Sequence, residues 1–118
     1  MKLSEAMERA VTSELTTARM TDDSEIAWRA LVRAHVISQP DLPRHLAVHT
    51  GMLSQAIHER DAREVAGQVL RLVLAPLGHV LGRTPWGNPG RATVSKFAKA
   101  PLPADVARLY AEAGIKVT

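Results

Sequence analysis

Three short breaks divide the first eighty residues into four segments with helical periodicity. The breaks are TDDSE (residues 21–25), QPDLP (39–43) and ERDARE (59–64), and each contains an aspartate that can accept hydrogen bonds from the free N–H groups of a helix start. Between the breaks, apolar residues recur every three or four positions, as in amphipathic helices. Because such short connections place consecutive helices antiparallel, the sequence predicts an all-α antiparallel four-helix bundle. Its two helical hairpins could also pack in a tetratricopeptide-like way.

The helix boundaries follow from the same pattern. We expect helices at about residues 3–19, 24–39, 42–57, 62–81 and 103–114, with a long loop before the last. The expected N-caps are Asp22 or Thr21, Asp41 and Asp61. Glu64 should reach back to the third cap as a capping box, and Pro76 should kink the fourth helix or split it near Ala75. The chain should form one domain, with core helices over about residues 3–82 and the loop and C-terminal helix over 83–118.

Composition excludes several classes of protein. Aromatic residues make up only 3% of the 118 residues, which favours closely packed helices over a sheet sandwich. There is no cysteine, so disulfides, iron–sulfur clusters and thiolate zinc sites are excluded. No apolar run approaches the ~20 residues of a membrane span, and no helix is basic enough to recognise nucleic acid. Since the charged N-terminus is unlike a signal peptide, we expect a soluble, cytoplasmic protein.

Charge is unevenly distributed along the chain. From Val65 to Ala104 there are five basic residues and no acidic one, so this part could bind a small anion or an acidic protein partner. Within it, GNPGR (residues 87–91) offers backbone N–H groups and an arginine to a phosphate or carboxylate. The candidate anion- or partner-binding residues are Arg83, Asn88 and Arg91. The alternative interpretation is a solvated loop in which Asn-Pro-Gly forms a turn.

The long loop needs anchors if it is to pack against the helices. Trp86, Val94 and Phe97 are its large apolar residues, and we expect them to hold it to the core. Gln68 and Arg71 interrupt the apolar fourth helix. They could be buried polar anchors for this loop, or they could mark a side of the helix that faces solvent.

A group of histidines near the second break is the main site candidate. His45 and His49 lie one turn apart on one helix face, and the hairpin should bring His35 beside them, with ring nitrogens within ~4 Å of one another. Further candidate ligands at the same end are His79, Glu5 and Glu8. Nitrogen and oxygen ligands without sulfur suit zinc, nickel, cobalt, copper or iron. Leu46 stands where the zincin motif has its general base, so no catalytic residue is assigned. The alternative is that these histidines cap helix ends and have a structural role.

Five blocks of sequence resemble a small uncharacterised bacterial family, known as domain of unknown function 3703. The blocks are AHVISQ (34–39), HLAVHTGML (45–53), RDAREVAGQVLRL (60–72), TPWGNPGRATVS (84–95) and APLPADV (100–106). Their order is specific, and together they extend over about two-thirds of the chain. The resemblance implies a shared fold and implies no established activity.

These observations favour a small binding or accessory protein that holds a divalent transition metal or a small ligand at its histidine end. The first alternative is a tetratricopeptide-like interaction module that uses the basic loop. The second is an enzyme in which the histidines act as acids and bases, since histidine titrates near neutral pH. A non-enzymatic role is favoured, and a homodimer is left open.

Overall fold

The computed structural model describes residues 2–95 and 98–117 of the chain. In these residues it contains five helices and no strand. The helices are α1 (Glu5–Met20), α2 (Ser24–Ser38), α3 (Leu42–His58), α4 (Ala62–Val80) and α5 (Ala104–Glu112). The predicted all-α fold is therefore confirmed, with helix boundaries within a few residues of those expected from the sequence.

The ends of the helices are capped largely as predicted. Asp41 and Asp61 accept backbone hydrogen bonds at the starts of α3 and α4. The cap of α2 is Asp23, one or two residues after the expected position, and it accepts from two N–H groups of the first turn. Of the two outcomes predicted for Pro76, a kink or a split near Ala75, the split does not occur, because α4 continues through Pro76 to Val80. A proline inside a helix removes a backbone hydrogen bond and clashes with the preceding turn, and the other hydrogen bonds of this 19-residue helix compensate for that loss.

Consecutive helices pack as antiparallel pairs, α1 against α2, α2 against α3, and α3 against α4. The core between them is aliphatic and is built from fully buried residues such as Met7, Leu31, Ile37, Val48 and Met52. Helix α2 lies in the middle of this arrangement, and nine of its residues are buried, as its two apolar sides predicted. The end of α2 therefore adjoins the start of α3, where the predicted site lies.

The C-terminal part of the chain returns to this core. The Tyr110 hydroxyl of α5 donates a hydrogen bond to the Val36 carbonyl oxygen of α2. Trp86 packs edge-on against Tyr110, with ring centroids 5.9 Å apart, so its predicted role as a loop anchor is confirmed. Val94 is half-buried. The third expected anchor, Phe97, lies outside the described residues.

Helix α4 is oriented with its polar side inward. Glu64, Gln68 and Arg71 are its buried residues and lie on one face, at positions i, i+4 and i+7. Of the two interpretations of Gln68 and Arg71, burial is therefore correct. The opposite face of α4 is apolar and exposed, with Val73 68% and Val80 78% accessible.

None of the helices in the described ranges has both the length and the apolar composition that are needed to cross a bilayer.

Candidate metal centre

Three histidine side chains meet at the end of the α2–α3 hairpin. His35 lies in the last turn of α2, while His45 and His49 lie in the first two turns of α3. The Nε2 atoms of His35 and His45 are 3.0 Å apart, those of His45 and His49 are 3.0 Å apart, and those of His35 and His49 are 3.1 Å apart. The predicted separation of less than ~4 Å is confirmed. All three residues are buried.

The partners of two rings determine where their protons lie. The Nδ1–H of His35 donates to the carbonyl oxygen of Asn88 at 2.7 Å. The Nδ1 of His49 lies 2.7 Å from Oε1 of Gln68. The Gln68 amide nitrogen donates to Glu64 and to the carbonyl oxygen of Gly90, so Oε1 must be the acceptor toward His49. In neutral form, both histidines therefore carry their proton on Nδ1 and present a lone pair at Nε2.

Two lone pairs thus face each other across 3.1 Å in a buried site. A proton on Nε2 of His45 could bridge toward them, but one proton cannot satisfy both contacts with good geometry. Burial and the neighbouring histidines lower the pKa of His35 well below its usual value. Burial, followed by the charge of His49, lowers the pKa of His45 to about 3, and burial also lowers that of His49. The three imidazoles are therefore neutral near pH 7, which is the form that binds metal ions.

The spacing of the three nitrogens suits a single ion. An ion about 2.1 Å from each of them would subtend nitrogen–metal–nitrogen angles of roughly 92°. This is close to the 90° of three ligands on one face of an octahedron, and smaller than the tetrahedral angle of about 109°. Among the described residues, these histidines form a group whose ligand atoms all lie within 4.8 Å of one another.

A buried polar chain supports the ring of His49 from behind. Gln68 is held by the Glu64 carboxylate at 2.9 Å, and the same carboxylate accepts from the Arg91 side chain at 2.7 Å and from the Ala92 N–H at 2.8 Å. Glu64 therefore does not use its side chain for the predicted capping box. Residues of the loop donate the hydrogen bonds that the buried Glu64 carboxylate needs. At the start of α4, the backbone N–H of Glu64 donates to the Asp61 side chain, which caps the helix.

The Arg91 guanidinium is fixed on two sides. Besides its ion pair with Glu64, it lies 3.6 Å above the Trp28 ring, in a cation–π contact. Asn88 is also buried, and its amide nitrogen donates to the carbonyl oxygens of Ser95 and Ala98. Two of the three predicted anion-binding residues, Asn88 and Arg91, thus have internal partners and shape the loop. The third, Arg83, is exposed and lines a pocket beside the histidines.

Arg71 fastens the same loop to α4. Its guanidinium donates to the carbonyl oxygens of Gly67, Arg91 and Val94 at 3.1, 2.9 and 2.7 Å. Burial is the main cause of the lowered pKa of both His35 and His49, and the positive charge of Arg71 contributes to both shifts. The loop and the metal site are therefore built around one set of buried polar residues.

Gly90 allows the loop to approach the histidines closely. Its φ is +84°, and a Cβ atom at this position would lie 2.7 Å from the His35 ring. Any other L-residue would meet both an unfavourable backbone conformation and the ring. Within GNPGR, this glycine therefore serves the packing of His35.

The other predicted ligands are not part of the cluster. His79 lines the adjoining pocket without belonging to the group of converging nitrogens. Glu5 and Glu8 form ion pairs with Arg9 and Arg44, at 3.9 and 2.9 Å. Both glutamates thus pair with arginines, and neither belongs to the group of converging histidines. His58 is exposed near the opposite end of α3.

The pocket has a volume of about 100 Å³ and opens directly beside the three histidines. Its wall is completed by Arg71, His79 and Arg83 and by apolar residues of α4. Among the residues that the structure describes, no aspartate or glutamate lies in this lining.

Sequence reasoning missed the roles of Glu64, Asn88 and Gly90 around the histidines. A signal for Glu64 existed, because Glu64, Gln68 and Arg71 share one face of an otherwise apolar helix. Asn88 and Gly90 gave no such signal, since a turn sequence explains both.

A family model described as protein of unknown function, DUF3703, matches residues 4–110. The chain has no significant match among curated proteins or among solved structures.

Proposed function

This chain belongs to the DUF3703 family, whose function is unknown, and we propose that it binds one divalent transition metal ion through Nε2 of His35, His45 and His49. One observation carries the proposal. The Asn88 carbonyl and the Gln68 amide fix the protons of two rings on the side away from the centre. Their lone pairs therefore converge where a cation would be bound, and such outer partners are typical of histidines that bind metals.

The donor set favours some metals over others. Three neutral imidazole nitrogens suit iron(II), cobalt(II), nickel(II), copper(II) and zinc. A tetrahedral zinc site would require the nitrogens about 3.4 Å apart, somewhat more than the 3.0–3.1 Å found here. The facial arrangement therefore favours ions that accept six ligands, such as nickel, cobalt and iron(II).

Three protein ligands leave coordination positions open toward the pocket. Closed structural sites usually supply four protein ligands, whereas open sites bind water or a small molecule. A binding or accessory role is the function this geometry supports first. A metal-dependent enzyme that activates bound water is the second candidate, and the open side of the site favours it. The alternative of acid–base catalysis by free histidines is disfavoured, because their lowered pKa values leave them unprotonated near neutral pH.

Calorimetry on the metal-free protein tests the proposal. Chelator-treated protein at micromolar concentration is titrated with nickel, cobalt, copper and zinc, and with iron(II) under anaerobic conditions. We expect one ion per chain and a higher melting temperature, because an ion that binds only the folded state stabilises it. The variants His45→Ala and His49→Ala should abolish both effects. The matched variant His58→Ala, at an exposed histidine of the same helix, should retain them. No binding of any of the five ions would reject the proposal.

A further inference from the structure

The pocket beside the histidines indicates what the open side of the site would bind. We propose that the pocket holds a small anion, such as a carboxylate or inorganic oxyanion, as an additional ligand of the bound metal. This inference rests on the proposed metal site, and it concerns a ligand that the three histidines do not supply.

The charge balance of the site carries the inference. Histidines bind a metal ion as neutral imidazoles, so a divalent ion held by the three converging Nε2 atoms would bring two positive charges into a buried place. The lining of the pocket adds the guanidinium groups of Arg71 and Arg83, and among the described residues it contains no aspartate or glutamate. The nearby Glu64 carboxylate already has Arg91, Gln68 and the Ala92 N–H as partners. Buried charge is costly unless it is compensated, and here an exogenous anion is the group that can compensate it.

The size and surface of the pocket narrow the class of anion. A volume of about 100 Å³ accommodates a few water molecules or one ligand of a few non-hydrogen atoms. Leu74, Ala75 and Pro85 form apolar parts of the wall, while Arg83 lies on the wall and is exposed to solvent. A short carboxylate, with one polar end toward the metal and a small apolar end toward α4, matches these features.

Cobalt-loaded protein provides the test, because its visible spectrum reports changes in the metal's ligands. Sodium acetate is titrated into the cobalt protein, and acetamide serves as a neutral probe of the same shape. We expect acetate to change the spectrum with saturation at millimolar concentration, and acetamide to leave it unchanged. Arg83→Gln should weaken acetate binding about fivefold, as expected for one exposed ionic contact, while cobalt affinity stays the same.

The possible outcomes separate the two proposals. Cobalt binding without any acetate effect, or an equal effect of acetamide, would overturn the anion ligand and leave the metal site standing. Failure of all five ions to bind in calorimetry would reject the metal site and this inference together.

The outer face of α4 carries a second, independent inference. We infer that two copies of this chain pair through α4 as a symmetric antiparallel dimer. The exposed large apolar residues on this helix and the residue after it, which we call the α4 face, are Val69, Leu70, Val73, Leu77, Val80 and Leu81. They lie opposite the buried Glu64, Gln68 and Arg71, so the apolar side of this helix is the exposed one in the part of the chain that the structure describes.

The area of the α4 face is large enough for an interface. Six side chains about half exposed present on the order of 500 Å². Pairing two copies would bury roughly 1,000 Å², which is about the minimum area expected of a biological interface. Between Glu64 and Arg83 the only charged residue is Arg71, which is buried on the other side. A partner must therefore be apolar and uncharged as well, and a second α4 face meets this requirement.

The spacing of the apolar residues favours self-pairing. Ala66, Leu70, Val73, Leu77 and Val80 follow one another at intervals of four, three, four and three, the repeat of helices that pack side by side. This series is nearly the same in both directions around Val73. In an antiparallel pair, Val73 would meet its own copy on the two-fold axis, Leu70 would lie near Leu77, and Ala66 near Val80.

Sedimentation measurements test the dimer. We expect the chain to dimerise at micromolar concentration and Val73→Glu to weaken dimerisation about a hundredfold, because two carboxylates would face each other in an apolar interface. Circular dichroism should show unchanged helix content, since this side chain points outward. Ile57→Glu is the matched control, because Ile57 is a 58% exposed residue of α3 outside the α4 face, and it should leave the dimer intact.

Cross-linking tests the direction of pairing, and the chain is suited to it because it contains no cysteine. Under mild oxidation, Val73→Cys should give a covalent dimer, whereas Ala66→Cys should not, because only positions near the axis meet their own copies. Equal cross-linking at both positions would indicate parallel pairing and overturn the antiparallel arrangement. A monomer at all concentrations, or a dimer unaffected by Val73→Glu, would overturn the inference itself.

Discussion

Replacing Gln68 by methionine tests how the metal site is held. Gln68 is fully buried, and its amide accepts from His49 and donates to Glu64 and to the Gly90 carbonyl oxygen. Methionine has a similar length, so the main loss is of hydrogen bonds rather than of volume. The Nδ1–H of His49 would remain buried without an acceptor, at a cost of about 1–3 kcal/mol, and the Gly90 carbonyl oxygen would lose a donor. We expect the free energy of unfolding of the metal-free protein to fall by about 3 kcal/mol.

The same substitution should weaken metal binding, because the partner that fixes the His49 proton is lost. Loss of such a partner typically reduces metal affinity by about 10- to 100-fold. Urea denaturation measures the first effect, and competition with a chromophoric chelator measures the second. Gln55→Met is the control, since this half-buried glutamine of α3 bonds to Glu59, away from the site. A metal affinity within twofold of the native protein would refute the role assigned to Gln68.

The remaining predictions concern pH and the loop. Burial lowers the pKa of the three site histidines below the value of about 6.5 that they have in the unfolded chain. Protons therefore bind preferentially to the unfolded state below pH 6.5. The contribution of these histidines to the free energy of unfolding is fully present above pH 6.5 and is lost as the pH falls toward about 3. We expect the free energy of unfolding of the metal-free protein to fall by up to about 1.4 kcal/mol per pH unit for each histidine. A free energy of unfolding that stays constant between pH 7 and 5 would contradict this prediction. Gly90→Ala should lower the free energy of unfolding by about 3 kcal/mol and weaken metal binding, because Gly90 has a positive φ and lies against the His35 ring. Gly82 also has a positive φ but lies in open space, so Gly82→Ala should lower the free energy of unfolding by only about 1 kcal/mol in the same denaturation experiment. Arg71→Met should release the loop and speed its cleavage by trypsin, because the hydrogen bonds from Arg71 to the loop are lost. The control variant Arg63→Met, at an exposed position, should leave the cleavage rate unchanged. Equal cleavage rates in the two variants would show that Arg71 does not hold the loop.

Local signals predicted most of the fold. Caps such as Asp41 and Asp61 depend on residues within one turn, and helical periodicity depends on residues a few positions apart. The convergence of the histidines was also predictable, because a tight turn between two helices determines which of their ends meet. His45 and His49 needed only helical spacing in addition.

Contacts between distant segments were not predictable in this way. Glu64 shows the reason, because its position fits a capping box while its side chain is bound by Arg91, 27 residues further along. Glu8 shows another, since it does reach α3, but at Arg44 on the exposed side of the helix. The direction of each helix determines which residues lie at the same end of the structure. Whether residues of α1 also face the histidines depends on how α1 packs on its neighbour.

The hydrogen bond from His35 to the Asn88 carbonyl oxygen joins the loop to a ligand of the proposed metal. If the loop lifted, that ring would lose the partner that orients it, and Gln68 would lose the Gly90 carbonyl oxygen at the same time. Metal affinity and loop closure are then reciprocally linked, so each must strengthen the other by the same factor. The residence time of the ion would therefore follow the lifetime of the closed loop. Slower amide hydrogen exchange in residues 84–95 on adding metal would be the direct sign of this coupling.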